Sequence, residues 1–203
     1  MTRKTLDTGR VIECAAELVD TEGFDALTLT RVAAELGVRQ PALYRHVDSY
    51  DALIRSLGLR AREILAGRLA DAAIGLAGDD AVRAMGAAWR GMVHDHPGQY
   101  AATDRCPCAG DAELEAAVER VVHVLGQALA AYGLTADDQV HVARSLRSAF
   151  HGFSHLEEGD GHPHPLDLDE TFDHLLNLLC AGINAATGPA TESRRRQLED
   201  RTQ

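Results

Sequence analysis

The sequence has few aromatic residues and no long hydrophobic run. Phe, Trp and Tyr make up 4% of its 203 residues, and no stretch shows the period-two alternation of β-branched residues that marks a strand. No uncharged apolar run approaches the roughly 18 residues that a membrane-spanning helix needs. The N-terminus, MTRKTLDTG, lacks the apolar centre of a signal peptide. We therefore expect an all-α, cytoplasmic protein that has no membrane partner.

Lysine is nearly absent, and the excess charge is negative. Lys4 is the only lysine among 20 basic residues, and the formal net charge is −11. Residues 1–60 carry eight Lys or Arg against nine Asp or Glu, whereas residues 61–203 carry 12 against 22. The acidic excess belongs to the C-terminal part, so the N-terminal part can bind an anionic partner through locally placed cations. The candidate cations are Arg3, Lys4, Arg10, Arg39 and Arg45.

One 20-residue segment, TLTRVAAELGVRQPALYRHV from Thr28 to Val47, has the pattern of two short helices joined by a tight turn. Thr28 and Thr30 offer hydroxyl oxygens to the free N–H groups that begin a helix. Gly37 stands where a residue with positive φ ends a helix. Pro41 fits the first turn of the next helix because no N–H donor is needed there. This is the helix-turn-helix pattern, in which the second helix enters a DNA major groove.

The second short helix turns Ala42 and Leu43 inward and its polar side chains outward. Gln40 carries the donor and acceptor pair that suits adenine, and Arg39 or Arg45 carries donors that suit guanine. Which side chains contact bases and which contact phosphates stays open, with Thr28 or Thr30 expected on a phosphate. The candidate DNA-binding residues are Thr28, Thr30, Arg39, Gln40, Pro41, Tyr44, Arg45 and His46.

The N-terminal stretch as a whole resembles the DNA-binding domain of TetR-type transcriptional repressors. The resemblance includes a first helix at about Thr8–Glu22, the Gly23-Phe24 link, and the segment ALYRHVDSYDAL at Ala42–Leu53. This last segment resembles the family's recognition helix and the start of its long fourth helix.

Two positions depart from the family pattern. Arg39 stands where the family often has Ser or Thr, and Tyr50 stands where it often has Lys. Contacts to the DNA backbone would then depend more on Arg39, Tyr44 and Arg45.

The resemblance implies a homodimeric, ligand-responsive regulator and favours a repressor. The last two long helices of each subunit would form a four-helix bundle, and the two recognition helices would bind a palindromic operator in double-stranded DNA. A small-molecule effector in the C-terminal cavity would change their spacing and release the DNA. The expected domains are residues 1–50 for DNA binding, residues 51–188 for ligand binding and dimerisation, and a disordered tail at 189–203.

The C-terminal part has the pattern of a helical bundle. We expect a long helix from Asp48 or Ser49 toward Ile74, and further helices over about 81–95, 99–105 and 111–133. Thr135, with Asp138 three residues on, predicts a capping box at the start of another helix. Asp167 or Asp169 would cap the last helix, which Gly188 and Pro189 would end.

Part of this region is similar to one TetR subgroup, whose C-terminal domain is named for its Trp, His and Gly. His151 and Gly152, within FHGF, fit that pattern. The following Leu156-Glu157 and the segment DLDETFDHLL also resemble the subgroup. The subgroup's Trp is missing from this position, because the only Trp of the sequence, Trp89, lies far upstream in WRGMVHDHPGQY. There, His96-Pro97 and Tyr100 resemble the subgroup's helix end.

The candidate effector-binding residues are apolar or aromatic side chains with a few polar groups, the mixture that suits a small organic molecule. For Met85, Trp89 and Met92, spaced for one helix face, core packing and pocket lining are equally good interpretations. Arg105 either meets an anionic group or lies on the surface, and for His151 a buried, hydrogen-bonded role is favoured over a ligand contact. The full set is Met85, Trp89, Met92, Tyr100, Arg105, His123, Phe150, His151, His155 and Phe172.

The four cysteines do not form the pattern of a disulfide framework. Cys14 and Cys180 are expected to be small buried residues. Cys106-Pro-Cys108 is interpreted as a loop with two incidental thiols, in preference to a redox pair or part of a metal site. A single Cys-x-Cys lacks the second half of a zinc signature.

Three other functions are alternatives to a ligand-responsive DNA-binding regulator. A metal-sensing regulator could use His151 and His155, which stand four residues apart on one helix face near His162, His164 and Asp160. A helical interaction protein without DNA binding predicts that substituting Tyr44 and Arg45 leaves DNA affinity unchanged. An enzyme is not expected, because the sequence has no phosphate-binding glycine loop and no nucleophile elbow. No cofactor and no resident metal are expected.

Overall fold

The structure, a computed structural model, describes residues 6–186, and these are arranged as helices. The α-helices are α1 (Thr8–Glu22), α2 (Leu29–Glu35), α3 (Tyr50–Ala72), α4 (Gly78–Asp95), α5 (Pro97–Arg105), α6 (Ala112–Leu129), α7 (Ala136–Glu158) and α8 (Leu168–Ala186). Short 3₁₀ helices lie at Phe24–Ala26, Gln40–Arg45 and Ala130–Tyr132. No strand occurs between residues 6 and 186, which agrees with the all-α prediction. Within the same range, no helix is long and apolar enough to cross a membrane.

The chain divides into two compact units. The first unit contains the chain up to Ala66 together with Met92–Arg120. The second contains Gly67–Gly91 and the chain from Val121 onward. Each unit therefore draws on two separate stretches of sequence.

The core of the first unit is formed by apolar side chains that recur at helical spacing. Val11, Val19, Val32, Leu43 and Leu57 are buried, so α1, α2, the 3₁₀ helix at 40–45 and α3 share one core. Burying a side chain of this size stabilises the fold by about 1.5–3 kcal/mol before the loss of entropy is counted. This shared core fixes the position of the short helices that precede α3.

Helix starts follow the capping residues of the sequence closely. Thr28, Ser49, Asp111 and Thr135 each accept a hydrogen bond from a backbone N–H in the first turn that follows. Asp167 does the same for α8, which decides between Asp167 and Asp169. Two helices begin earlier than predicted: α4 begins at Gly78 rather than at about residue 81, and α5 begins at Pro97 rather than at residue 99.

The second short helix of the helix-turn-helix is a 3₁₀ helix rather than the expected α-helix. Its first and last hydrogen bonds join Ala42 N to Arg39 O at 2.8 Å and His46 N to Leu43 O at 2.8 Å. Pro41 supplies no donor, and a helix of six residues has few α-type bonds to gain, so the tighter form is adopted. The expected recognition helix therefore ends at Arg45, before α3 begins.

A polar contact joins α1 to α5 within the first unit. The carboxylate of Asp20 accepts bonds from the backbone N–H of Gln99 at 2.8 Å and from its side-chain amide at 2.7 Å. The Nδ1 atom of His96 lies 3.0 Å from the same carboxylate. Gly98 lies so close that an added Cβ would be 2.1 Å from the carbonyl oxygen of Val19. These contacts hold the start of α5 against the end of α1.

The start of α6 is held to α3 by an ion pair. Arg55 donates to both oxygens of Asp111, at 2.5 and 2.8 Å, and to Glu113 at 2.7 Å. The bonds from Arg55 to Asp111, with the bond from the N–H of Leu114, lower the pKa of Asp111 to about 2. The same carboxylate therefore caps α6 and anchors it.

All four cysteines are free thiols. Cys180 is buried as expected, but Cys14 is only half-buried, because it packs against the edge of the core and also lines a surface groove. Burial raises the pKa of the Cys14 thiol, and the neighbouring Glu35 and Glu17 raise it further. Cys106 is buried and Cys108 half-buried.

The second unit contains a cluster of aromatic side chains from α4, α7 and α8. The ring centroids of Trp89 and Phe150 are 6.1 Å apart, and those of Phe150 and Phe172 are 6.4 Å apart. Beside the cluster, Arg90 forms ion pairs with Glu157 at 2.5 Å and with Asp169 at 2.7 Å. The three helices are thus joined by both apolar and ionic contacts.

Some expectations fall outside the described residues. They are the phosphate contacts of Arg3 and Lys4, the helix end at Gly188 and Pro189, and the disordered tail at 189–203.

Candidate nucleic-acid interface

The helix-turn-helix is built around a turn and a buried anchor. Gly37 has φ +67°, the left-handed conformation that the sequence predicts for it, and Val38 N donates to Ala33 O at 2.9 Å. Leu43 is completely buried under the 3₁₀ helix. With Leu43 fixed inward, the polar residues on either side of it must face outward.

A chain of hydrogen bonds crosses from α2 to the 3₁₀ helix. The hydroxyl of Thr30 donates to Gln40 Oε1 at 2.9 Å, and Gln40 Nε2 lies 3.3 Å from the hydroxyl oxygen of Tyr44. Both ends of the Gln40 amide are therefore engaged, while the Tyr44 hydroxyl keeps a hydrogen to donate. These hydrogen bonds hold the side chains of Thr30, Gln40 and Tyr44 in one orientation.

The candidate DNA-binding residues differ in exposure. Tyr44 is 50% exposed, the largest exposure of a bulky apolar side chain in the helix-turn-helix. Gln40 and His46 are half-buried. The exposed members are Thr28, Thr30, Arg39, Pro41, Tyr44 and Arg45.

Thr28 combines two roles at the start of α2. Its hydroxyl oxygen accepts a bond from the backbone N–H of Arg31 at 3.0 Å. A hydroxyl that accepts can still donate its hydrogen, and the side chain is exposed. The structure thus leaves Thr28 able to donate to an external acceptor such as a phosphate oxygen.

The basic residues are not distributed evenly over the first unit. Arg39 and Arg45 are exposed beside Tyr44, whereas Arg10 lines a groove of about 470 Å³. Glu13, Glu17, Glu22 and Glu35 line the same groove, together with Cys14, Leu18, Thr21 and Leu36. Its negative charge opposes phosphate, so this groove is a poor surface for DNA.

The hydrogen bonds among Thr30, Gln40 and Tyr44 were not predicted, although the sequence contains a signal for one of them. Gln40 and Tyr44 stand four residues apart, a spacing that brings polar side chains together on one helix face. The part played by Thr30 had no such signal, because Thr30 lies on the other helix, ten residues away.

The candidate effector-binding residues are divided between the two units. Met92, Tyr100 and Arg105 belong to the first unit, where Met92 and Tyr100 are buried. Arg105 is exposed, and its guanidinium lies over the ring of Phe24, 4.2 Å from the centroid. The contact with Phe24 accounts for Arg105 without an anionic ligand.

The other seven candidates belong to the second unit. Trp89, Phe150 and Phe172 are buried in its aromatic cluster, Met85 of α4 is also buried, and His151 is half-buried. His123 and His155 are exposed. The buried members are therefore the ones placed to line an apolar site.

His151 and His155 lie together, but as stacked rings. Their centroids are 5.8 Å apart and their planes differ by 13°. His162 packs instead against the ring of Phe153, with centroids 5.2 Å apart. Among the residues that the structure describes, no three His, Cys, Asp or Glu side chains are grouped so that they could hold a metal ion. The arrangement does not favour the metal-sensing alternative.

Two family models match the chain over separate stretches. Residues 11–57 match the model for bacterial regulatory proteins of the tetR family. Residues 82–179 match the model for a tetracyclin repressor-like C-terminal domain. The first stretch includes the entire helix-turn-helix.

Relatives along most of the chain are also regulators by name. An HTH-type transcriptional regulator of Mycobacterium tuberculosis, Rv0681, is 36% identical over 178 residues, which cover 87% of this chain and 81% of that protein. An HTH-type regulator of Bacillus subtilis, YobS, is 25% identical over 85% of this chain and 90% of its own. A crystal structure of BioQ with its double-stranded DNA operator superposes with a TM-score of 0.66 at 25% identity, covering 89% of this chain and 99% of that one.

Proposed function

Because this chain belongs to the TetR family of transcriptional regulators, which bind DNA and are not enzymes, we propose that it is a repressor controlled by a small organic effector. It acts as a cytoplasmic homodimer on a palindromic operator, since the cytoplasm holds the DNA of a bacterial cell. The observation that carries this proposal is the exposed group of Arg39, Tyr44 and Arg45 around the buried Leu43.

In this proposal, residues 1–50 form the DNA-binding domain. Arg39 and Arg45 contact guanine or phosphate, and Thr28 donates to a phosphate. Gln40 reads adenine after it exchanges its bonds to Thr30 and Tyr44 for bonds to the base. Pro41 and His46 complete the contact surface. The operator complex of BioQ supports double-stranded DNA as the partner.

The proposed dimer forms through α7 and α8, within residues 51–188. Leu178 on α8 is 73% exposed, and Val140 and Leu156 on α7 are also exposed. Exposed large apolar side chains mark contacts with another molecule where they group into a patch. A second copy of the chain would cover them and set the spacing of two recognition segments.

The proposed effector site lies at the aromatic cluster of the second unit, which contains Trp89, Phe150 and Phe172, and would include the buried Met85 of α4. An effector acts only if it binds the conformation that does not bind DNA more tightly than the one that does. We also propose that the C-terminal domain belongs to the Trp-His-Gly subgroup, supported by His151 and Gly152.

The test is a selection of bound sequences from a random double-stranded DNA pool with the purified full-length protein at moderate salt. One enriched palindrome is expected, and its affinity is expected to fall as salt rises, because phosphate contacts release counterions. A folded, dimeric protein that enriches no sequence would contradict the proposal and favour a protein-interaction role.

Tyr44→Ala tests the orientation of the recognition segment. Loss of its exposed side chain, and of the bond that orients Gln40, should weaken binding of the selected operator by about 1–3 kcal/mol while the dimer stays intact. Arg120→Ala is the control, since it removes an exposed cation outside the helix-turn-helix and should leave affinity nearly unchanged. Unchanged affinity in Tyr44→Ala would mean that this orientation is wrong.

A further inference from the structure

Arg62 on α3 is a buried arginine whose charge faces a cysteine. Its side chain is 7% exposed. The Nη1 atom donates to Cys106 Sγ at 3.2 Å and to Gly58 O at 3.0 Å. The Nη2 atom donates to the carbonyl oxygens of Thr103 at 2.9 Å and Cys106 at 3.1 Å. In the described part of the chain, none of its hydrogen-bond acceptors is a carboxylate.

A buried cation without an anionic partner is unusual, because removing a charge from water is costly unless it is paired. Carbonyl dipoles offset part of that cost for Arg62. The remaining positive potential falls on the sulfur of Cys106, the one ionisable atom among its acceptors. The guanidinium of Arg62 therefore places a positive charge directly against this sulfur.

A second thiol lies next to the first in the chain. Cys108 is half-buried and follows Cys106 after one proline, and both are free thiols. Two residues span at most about 7 Å of extended chain. Disulfides form between Cα atoms roughly 4.4–6.8 Å apart, so the two sulfurs can be joined after a local backbone adjustment.

We propose that Cys106 is a peroxide-reactive thiol, that Cys108 resolves its oxidised form as a disulfide, and that this oxidation weakens DNA binding. The last step rests on the proposed function, whereas the thiol chemistry does not.

The chemistry balances with a hydroperoxide as the oxidant. The Cys106 sulfur, after losing the proton that it now directs at Ala102 O, attacks hydrogen peroxide. An S–O bond forms as the O–O bond breaks, the sulfur loses two electrons, and the departing oxygen takes them and leaves as hydroxide, which is protonated by the proton that the thiol lost and becomes water. The Cys108 thiolate then attacks the sulfenic sulfur. The S–S bond forms, the S–O bond breaks, and hydroxide leaves and is protonated to a second water.

The position of Cys106 explains how this reaction reaches the DNA-binding residues. The sulfur lies against the backbone of α3, since a Cβ placed on Gly58 would be 2.0 Å from it. The sulfur has no free space on that side, so we expect an added oxygen or a bond to Cys108 to push the end of α5 away from α3. The start of the same helix holds Asp20 of α1 through Gln99. Movement of α5 therefore disturbs α1, which shares its core with the helix-turn-helix.

The chemistry is tested on the intact protein with hydrogen peroxide, followed by trypsin and mass spectrometry. Both thiols fall in one tryptic peptide, residues 106–120, which follows Arg105 and ends at Arg120. We expect this peptide to lose two hydrogens on oxidation and to regain them with dithiothreitol. Cys106→Ser and Cys108→Ser should each abolish that loss, and Cys108→Ser should leave a sulfenic acid at Cys106 that dimedone traps.

Cys14 is the internal control, because it is half-buried like Cys108 but lies among glutamates that raise its pKa. It should react with peroxide far more slowly than Cys106. An unchanged 106–120 peptide, or faster oxidation of Cys14, would overturn the assignment.

The regulatory step is tested on an operator obtained by selection. Oxidation should weaken operator binding of the wild type by about tenfold or more, within the usual range of allosteric coupling, and should leave Cys106→Ser unaffected. A disulfide that forms without changing affinity would overturn the switch. If the reduced protein bound no DNA, the proposed repressor function would fail, while the peptide masses would still decide the thiol chemistry.

Discussion

At the residue scale, Gly98 is where the backbones of α1 and α5 approach most closely. A Cβ at this position would lie 2.1 Å from Val19 O and 2.2 Å from the carbonyl carbon, which are backbone atoms that cannot rotate away. We expect Gly98→Ala to destabilise the protein by about 1–3 kcal/mol or more, because the two helices must separate. Urea unfolding followed by circular dichroism measures the change.

Gly67→Ala is the matched control for this substitution. Gly67 is exposed within α3, and a Cβ there would meet no atom within 4 Å. Alanine in a helix interior is better than glycine by about 0.5–1 kcal/mol, so this variant should be slightly more stable than the wild type. If Gly98→Ala were equally well tolerated, the close contact between α1 and α5 would be wrong.

Also at the residue scale, Asp111 links stability to pH. Its pKa is lowered from 3.8 to about 2, first by the hydrogen bonds from Arg55. A lowered pKa in the folded state contributes stability above the unfolded pKa, and that contribution is lost as pH falls through the folded value. Asp111→Asn should therefore melt below the wild type at pH 7, and the gap should shrink between about pH 4 and pH 2. A gap in melting temperature that did not change with pH would exclude the ion pair as its cause.

At the element scale, the helix-turn-helix depends on the left-handed turn at Gly37. Glycine adopts its φ of +67° without strain, and asparagine adopts it at a lower cost than other residues with a side chain. Gly37→Ala should destabilise the first unit by about 1–2 kcal/mol, and Gly37→Asn should cost less. Since a Cβ there meets no atom within 4 Å, a steric clash cannot explain the loss. Equal stability of the two variants would contradict the role of this turn.

Much of the architecture at this scale follows from local sequence. The first helix was predicted at Thr8–Glu22 and is found there, and the caps at Thr28 and Thr135 act as their residue types suggest. The 3₁₀ form of Gln40–Arg45 was missed because helical spacing does not distinguish two helix types over six residues. The contacts of Asp20 with Gln99 and of Arg62 with Cys106 join distant positions, which periodicity does not reveal.

At the scale of the whole molecule, the charge of −11 is compatible with DNA binding because it is unevenly placed. The acidic excess lies beyond residue 60. Within the first unit, four glutamates line one groove, and neither Arg39 nor Arg45 belongs to that groove. DNA affinity must therefore come from a few exposed cations on each subunit. When two such surfaces are linked in a dimer, the second binding event becomes intramolecular and the overall DNA affinity rises. Dimerisation is therefore central to the proposed function.

The exposed Leu178 of α8 gives the test of that dimer. Leu178→Glu changes a side chain that is 73% exposed, so each subunit should fold normally. In a dimer, the same carboxylate would be buried without a partner, which is costly, and the protein should become monomeric at micromolar concentration. Operator affinity should fall with it, because the two half-sites are then bound by unlinked subunits.

Ile74→Glu provides the matched control, since Ile74 is 76% exposed, belongs to the same unit and lies outside α7 and α8. Sedimentation velocity should find a dimer for the wild type and for Ile74→Glu, and a monomer for Leu178→Glu with an unchanged circular dichroism spectrum. A Leu178→Glu protein that remained dimeric would place the interface elsewhere on the molecule. If both variants dissociated, the added charge rather than its position would be responsible, and the exposed leucine on α8 would lose its significance.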